Sequence, residues 1–155
     1  MPTLSFDRQQ LAPQPALFVR RQASRPELPA TIEEGIAKSR ERAEALGLPS
    51  AGPPFVLYRE RGPGRFKLEI GVPVDRPAPG DQEAEAGTLP GGPAAVAIHA
   101  GPYEQLPETF SALERWIGEQ GLRTAGPPWE SYRTSPDDSP DPAKWRTAVY
   151  WPVAE

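Results

Sequence analysis

The chain has 155 residues, of which 37% are hydrophobic and 25% charged, a length and composition typical of one globular domain. Its formal net charge of -4 and isoelectric point near 5.2 argue against direct binding of nucleic acid, because phosphate recognition needs a basic surface. The absence of cysteine excludes disulfides and thiol chemistry, and no apolar run approaches the ~20 residues that a membrane-spanning helix needs.

The N-terminal half predicts one strand, one helix and two further strands. Its first residues, MPTLSFDRQQ, lack the pattern of a secretory signal, so we expect a cytoplasmic protein with no membrane partner. ALFVRR (16–21) predicts a short strand, and TIEEGIAKSRERAEALGL (31–48) has apolar residues near helical spacing, with Gly47 ending the helix. Two strands follow, the first in GPPFVLYR (52–59) and the second at FKLEIGVPV (66–74).

The middle of the chain, DRPAPGDQEAEAGTLPGGP (75–93), is rich in proline, glycine and acidic residues. It shows neither helical nor strand periodicity. We therefore interpret about residues 76–93 as a surface connector between two halves.

The C-terminal half repeats the order of the first. AVAIHA (95–100) predicts a strand, and QLPETFSALERWIGEQGL (105–122) predicts a clearly amphipathic helix that ends at Gly121. GPPWESYR (126–133) and WRTAVYWPV (145–153) supply two more strands.

The two halves also share sequence. At a constant offset of 74, residues 47–60 (GLPSAGPPFVLYRE) and 121–134 (GLRTAGPPWESYRT) agree at eight of fourteen positions. We therefore predict a single α+β domain over residues 1–155, with repeat one at about 15–75 and repeat two at 94–153. In this interpretation each repeat is strand, helix, strand, strand, and the repeats pack about a pseudo-twofold axis. Helices cover one face of the antiparallel sheet or sheets, and a ligand cleft lies between the halves.

Strand alternation predicts which side chains share a face. In the last strand of each repeat we expect the helix to cover Phe66, Leu68, Ile70 and Val72, and in the second repeat Trp145, Thr147, Val149 and Trp151. In the preceding strand we expect the aromatic residues Phe55 and Trp129 to take the helix side. The opposite face then receives one carboxylate and several aromatic or apolar residues: Glu130, Tyr132, Tyr150, Val56 and Tyr58.

Metal and calcium sites are not predicted. His99 is the only histidine, and a lone histidine without further ligands does not make a zinc site, so we expect a structural role for it. Asp137, Asp138 and Asp141 lie in SPDDSPDP, which lacks the spacing and the glycine of a calcium loop. This segment predicts a solvated hairpin loop.

Three segments of the second half resemble, in the same order, the GyrI-like effector-binding domain: HAGPYEQLPETFSALERWIGEQGL, GPPWESYR and TAVYWPV. This domain is also found as the C-terminal ligand-binding domain of multidrug-sensing transcriptional activators. The resemblance covers about residues 15–153 and implies a hydrophobic pocket between two halves. It further implies that Glu130 pairs with lipophilic cations and that Tyr150 lines the pocket wall. Strand alternation or proximity adds further candidate ligand-binding residues, namely Tyr58, Tyr132, Val56, Phe18 and Tyr103.

Two functions share these residues. The first is a cofactor-free binding protein for bulky, hydrophobic or cationic aromatic molecules. The second, also implied by the resemblance, is a hydrolase that opens cyclopropane-bearing alkylating natural products, with Glu130 as general base and Tyr150 or Tyr132 as proton donor. Sequestration of a protein such as gyrase ranks third. Only about fifteen residues precede the first predicted strand, too few for a helix-turn-helix module, so a regulatory role would need a separate protein partner.

Overall fold

The computed structural model describes residues 3–62, 64–80, 84–134 and 140–155. In these residues the chain forms an α+β fold with antiparallel strands. The helices are α1 (Leu28–Ala45) and α2 (Leu106–Glu119). The strands are β1 (Thr3–Leu11), β2 (Gln14–Ala23), β3 (Phe55–Gly62), β4 (Arg65–Pro73), β5 (Glu85–Leu89), β6 (Gly92–Ala100), β7 (Arg123–Thr124), β8 (Trp129–Tyr132) and β9 (Arg146–Ala154).

The chain divides into two compact units. One unit is Ala12–Gly91 and is called the 12–91 unit. The other combines Met1–Leu11 with Gly92–Glu155 and is called the 92–155 unit. In the 12–91 unit the order strand, helix, strand, strand is found as β2-α1-β3-β4, and in the 92–155 unit the order is β6-α2-β7-β8-β9, in which β7 has only two residues. The internal duplication, the pseudo-twofold axis and the repeat boundaries stay predictions.

Both helices end in the same way. Gly47 and Gly121 have φ values of +68° and +74°, a left-handed conformation that glycine adopts without steric cost. The amide of Leu48 donates to the Ala43 carbonyl, and that of Leu122 donates to the Ile117 carbonyl, each closing the last turn. The predicted helix-ending glycines are therefore confirmed.

In the 12–91 unit the strands pair in the order β3-β4-β2-β5. Helix α1 covers the face that carries Ile70, because Gly35 lies directly against that side chain and the Ser39 hydroxyl donates to the Ile70 carbonyl at 3.0 Å. Val72 packs in a buried cluster with Ala43 of α1. The predicted helix-facing row of β4 is therefore confirmed.

An ion pair also joins α1 to this sheet. Arg21 of β2 donates from Nε and Nη2 to the two carboxylate oxygens of Glu34 at 2.8 and 3.0 Å. The hydrogen bond to Arg21 lowers the pKa of Glu34, and the same bond raises the pKa of Arg21. Since both side chains are partly exposed, this two-point ion pair adds little stability, and its main effect is to fix the orientation of α1 on the sheet.

In the 92–155 unit the strands pair in the order β1-β6-β9-β8, and β7 also pairs with β9. Helix α2 packs on one face through ring contacts. Trp116 stacks on Phe6 of β1 at 5.8 Å between ring centroids, and Phe110 meets Trp151 of β9 edge to face at 6.1 Å. The face of this sheet that bears Phe6 and Trp151 is therefore the helix face. Neither helix in the described ranges is long and apolar enough to cross a membrane.

Three strands in the described part of the chain were not predicted from the sequence. Strand β1 pairs with β6 along its whole length, and β7 is only two residues long. Strand β5 lies inside the predicted connector and pairs with β2. In β5, Gly87 lies so close to the Phe18 ring that an added Cβ would sit 2.6 Å from its Cε1 atom. A glycine-containing strand of this kind has no sequence periodicity and is specified by the strand beside it.

The contact between Gly35 and Ile70 gives a stability prediction. A Cβ at Gly35 would lie 2.7 Å from Cγ2 and 2.8 Å from Cβ of Ile70, whose side chain is fully buried. Gly35→Ala gains about 1 kcal/mol of helix propensity but incurs about 1–3 kcal/mol of overpacking. We therefore expect a net loss in the free energy of unfolding, measured by denaturant titration.

The matched control is Gly118→Ala in α2. This glycine is exposed, and an added Cβ would meet no atom within 4 Å. Propensity acts alone there, so the variant should be stabilised by up to about 1 kcal/mol. Equal stabilisation of both variants would contradict the close packing of α1 on β4.

Candidate functional site

The pairing of β8 with β9 fixes the faces of the candidate site residues. Residues directly opposite each other in an antiparallel pair project from the same face of the sheet. Glu130 is opposite Val149, which is opposite Ala97 of β6, which in turn is opposite Phe6. Because Phe6 packs on Trp116, Glu130 lies on the helix face.

Tyr132 follows Glu130 by two residues and lies on the same face. It is opposite Thr147, and Thr147 is opposite His99, whose ring contacts Thr109 of α2. Trp129 is instead opposite Tyr150, and the two rings stack at 5.3 Å with an angle of 17° between their planes. Tyr150 therefore lies on the face away from α2.

The predicted sidedness of β8 is wrong. Glu130 and Tyr132 were expected to share the helix-free face with Tyr150, but the register places them on the opposite face from it. The expectation followed from assigning the bulky Trp129 to the helix side. In a strand with period two, one wrong assignment moves every other side chain to the wrong face.

The same error affects β3. Val56 is opposite Ile70 and Tyr58 is opposite Leu68, so both lie on the face that α1 covers. Phe55 and Leu57 were expected on the helix side, but they lie opposite Gly71 and Glu69 on the other face.

Glu130, Tyr132, Tyr103 and Trp145 form what we call the acid–aromatic cluster. The Glu130 side chain belongs to a residue with only 3% of its surface exposed, and the Tyr132 hydroxyl donates to its Oε2 at 2.5 Å. The ring of Tyr103 lies 5.5 Å from that of Tyr132 and 4.8 Å from that of Trp145. The structure thus brings three aromatic side chains and one buried carboxylate together.

Two short turns position the outer rings of the cluster. Tyr103 begins the 3-10 turn Tyr103–Gln105 that leads into α2, and its hydroxyl donates to the Thr134 carbonyl at 3.2 Å. Trp145 follows the 3-10 turn Pro142–Lys144, which Asp141 caps by accepting from the Ala143 amide at 3.1 Å. Sequence reasoning placed Trp145 in the core and missed its contact with Tyr103.

The chemistry of the cluster suits a cation. A carboxylate removed from water is destabilised unless hydrogen bonds or an opposite charge compensate it. The hydroxyl of Tyr132 supplies one charge-assisted hydrogen bond. The ring faces offer further attraction for positive charge.

The remaining candidate residues do not belong to this cluster. Tyr150 accepts a hydrogen bond from Nη2 of Arg133 at 2.8 Å on the helix-free face. In the 12–91 unit, Val56 and Tyr58 are buried on the α1 face, where the Tyr58 ring meets that of Phe66 edge to face. Phe18 lies on the opposite face of that unit, with the guanidinium of Arg20 5.6 Å from its ring centre.

His99 has the structural role that was predicted. Its Nε2 lies 3.0 Å from the Pro102 carbonyl and its Nδ1 lies 2.6 Å from the Thr109 hydroxyl. Since a carbonyl only accepts, Nε2 carries the proton and the hydroxyl donates to Nδ1. The ring thereby joins β6 to α2. Among the described residues no group of three or more His, Cys, Asp or Glu could hold a metal ion, and Asp137 and Asp138 lie outside them.

Residues 7–154 match the model of the GyrI-like small molecule binding domain. The chain belongs to this family. A comparison with curated proteins found no match to the sequence. The family match covers the whole of the acid–aromatic cluster as well as both helices.

Solved structures share the fold. EcmrR in complex with DNA is 21% identical, with a TM-score of 0.88 over 98% of this chain, which spans only 58% of the EcmrR chain. The EcmrR C-terminal domain alone matches over 100% of this chain and 99% of its own, at 21% identity and a TM-score of 0.85.

Two more distant structures carry informative descriptions. SAV2435 bound to tetraphenylphosphonium is 15% identical, with a TM-score of 0.68 over 97% of this chain and 94% of its own. A hydrolase from Listeria innocua is 14% identical, with a TM-score of 0.65 over 99% of this chain and 93% of its own. Identities this low show a common fold and nothing further.

Thr147 gives a prediction on the same face. It is fully buried, and its Oγ1 has no hydrogen-bond partner among the described residues. Leaving a buried hydroxyl unsatisfied costs about 1–3 kcal/mol, so Thr147→Val, which keeps the shape, should raise the free energy of unfolding by about 1 kcal/mol. Denaturant titration measures the change.

Thr109→Val is the opposite case within the same unit. Thr109 is also fully buried, but its hydroxyl donates to His99. Removing that donor leaves the ring nitrogen unsatisfied, and the protein should lose about 1–3 kcal/mol. If Thr147→Val were as destabilising as Thr109→Val, the Thr147 hydroxyl would have a partner.

Proposed function

We propose that this chain is a cytoplasmic binding protein for bulky, aromatic, lipophilic cations and that Glu130 is the acidic residue that attracts them. The observation that carries the proposal is the burial of Glu130 beside Tyr132 and Tyr103. A delocalised organic cation is cheap to remove from water, so pairing with a buried carboxylate favours it over small hydrated ions. Contact with the rings adds about 0.5–2 kcal/mol for each cation–π pair.

The family and one structural neighbour support this class of ligand. The matching family model describes small-molecule binding, and SAV2435, which has the same fold, was solved with a tetraphenyl-substituted phosphonium ion. We assign ligand contact to Glu130, Tyr132 and Tyr103. The role of Val56 and Tyr58, which belong to the 12–91 unit, stays a prediction from the sequence. Tyr150 and Phe18 are not assigned, because each lies on the helix-free face of its own unit.

The proposed direct partner is a small molecule rather than nucleic acid. EcmrR occurs in a complex with DNA, but this chain spans only part of the EcmrR chain. The net charge of -4 does not favour direct contact with phosphates. We therefore propose a small molecule as the direct partner of the residues described here.

Glu130→Gln tests the proposal. Tetraphenylphosphonium carries a charge, whereas triphenylphosphine oxide is a neutral aromatic compound of similar shape. The substitution should raise the Kd for tetraphenylphosphonium about tenfold or more, equivalent to a loss of about 1.4 kcal/mol in binding free energy. The Kd for the neutral compound should change little. Isothermal titration calorimetry measures both constants.

Glu108→Gln is the matched control, because Glu108 is an exposed acid of α2. It changes the net charge equally and should leave both affinities unchanged. Equal losses for the charged and the neutral compound in Glu130→Gln would show that the carboxylate does not select for charge.

A hydrolase is the second candidate. The Glu130–Tyr132 pair and the fold of the Listeria innocua hydrolase favour it. Glu130 would act as general base and take a proton from a water molecule. The oxygen of that water would attack a cyclopropane carbon. The carbon–carbon bond would break, and the conjugated carbonyl would become an enolate that takes a proton from a tyrosine. In the structure the Tyr132 and Tyr103 hydroxyls instead donate within the protein.

Mass spectrometry separates the two functions. A cyclopropane-bearing alkylating compound is incubated with the wild-type protein and with Glu130→Gln. The binding function predicts saturable binding and recovery of the unchanged compound. A water adduct that forms with the wild type and is lost in Glu130→Gln would identify the hydrolase instead.

A further inference from the structure

We propose that Tyr132 makes the Glu130 site selective for cations that carry no hydrogen-bond donor, such as phosphonium and fully alkylated ammonium groups. This proposal rests on the proposed cation-binding function. Its basis is the 2.5 Å hydrogen bond from the Tyr132 hydroxyl to Oε2 of Glu130. The bond places an internal donor on one of the two carboxylate oxygens that a protonated amine would bind.

The hydroxyl of Tyr132 is held in this position by its neighbours. Tyr132 and Glu130 lie on the same face of one strand, two residues apart, so the backbone of β8 fixes their separation. The Tyr132 ring packs against Tyr103, whose own ring packs against Trp145. Tyr103 is anchored in addition by its hydrogen bond to the Thr134 carbonyl. Moving the Tyr132 hydroxyl therefore disturbs a connected set of contacts.

Cations without a hydrogen-bond donor and cations with N–H groups interact differently with the Glu130–Tyr132 pair. A donor-free cation is attracted by the net charge of the carboxylate and by the ring faces, and neither attraction needs a lone pair of Oε2. A cation with N–H groups gains most from charge-assisted hydrogen bonds to the carboxylate oxygens. To make such a bond at Oε2 it must share that atom with Tyr132 or displace the hydroxyl, which then loses a charge-assisted bond.

A pair of triarylmethyl dyes isolates the effect. Crystal violet carries fully methylated nitrogens and no N–H group, whereas pararosaniline has the same skeleton and charge with N–H groups in place of the methyl groups. Fluorescence or calorimetric titration gives both Kd values for the wild type and for Tyr132→Phe, which keeps the ring and removes the hydroxyl.

The measured quantity is the ratio of the two Kd values. In Tyr132→Phe the pararosaniline affinity relative to crystal violet should increase about tenfold over the wild-type ratio, since the internal donor is gone. A purely structural role of Tyr132 would change both affinities alike and leave the ratio constant. Tyr150→Phe is the matched control, because it removes a tyrosine hydroxyl from the opposite face of the sheet and should leave the ratio constant.

The outcomes separate this proposal from the one it rests on. Binding of both dyes to the wild type with an unchanged ratio in Tyr132→Phe overturns the selectivity and leaves cation binding intact. Binding of neither dye overturns both. A second measurement needs no variant: the downfield hydroxyl proton resonance of Tyr132 should persist with crystal violet and be lost or shifted with pararosaniline. The same response to both dyes overturns the selectivity.

Discussion

The antiparallel pairing of β8 with β9 is the constraint on which the candidate site depends. Each strand projects alternate side chains to opposite faces, so the register Glu130 to Val149 determines the face for every neighbour as well. The row from Glu130 through Val149 and Ala97 ends at Phe6, which packs on α2. A carboxylate in a sheet otherwise rich in aromatic and apolar side chains is thereby placed on the face that a helix covers.

A buried carboxylate needs compensation, and the acid–aromatic cluster provides part of it. Tyr132 donates a short hydrogen bond to Glu130, while Tyr103 and Trp145 extend the contact to the turns before α2 and before β9. The ring of Tyr132 packs against that of Tyr103 at 5.5 Å between centroids. The cluster therefore combines one buried carboxyl group with polarisable ring faces, which is a chemistry suited to large organic cations.

Membership of the GyrI-like family rests on a match over nearly the whole chain, whereas the solved neighbours contribute the fold alone. The function proposed for this chain therefore rests on its own residues. The same cluster could hold a reactive compound, but its two tyrosine hydroxyls already donate within the protein.

The sequence by itself determined much of the local structure and the identity of the central residues. Apolar spacing and the glycines at 47 and 121 located both helices, because helix periodicity and left-handed glycine caps are local properties. The Gly-Pro-Pro sequence that both halves share predicted the positions of β3 and β8. The order of the sequence motifs indicated the family and the importance of Glu130. The helix-facing side of β4 could be predicted because every second residue from Phe66 to Val72 is apolar.

Only the tertiary structure decided the faces of β3 and β8 and the existence of β1 and β5. The alternation of side chains along a strand shows which residues share a face, but it does not show which face a helix covers. In WESY (129–132) large side chains occur at both odd and even positions, so their size does not identify the helix face. A strand such as β5 forms because β2 offers it unpaired backbone groups, and its own five residues contain no such signal. Tyr150 was consequently separated from Glu130 by the sheet, while Trp145, remote from Tyr103 in the chain, became its neighbour.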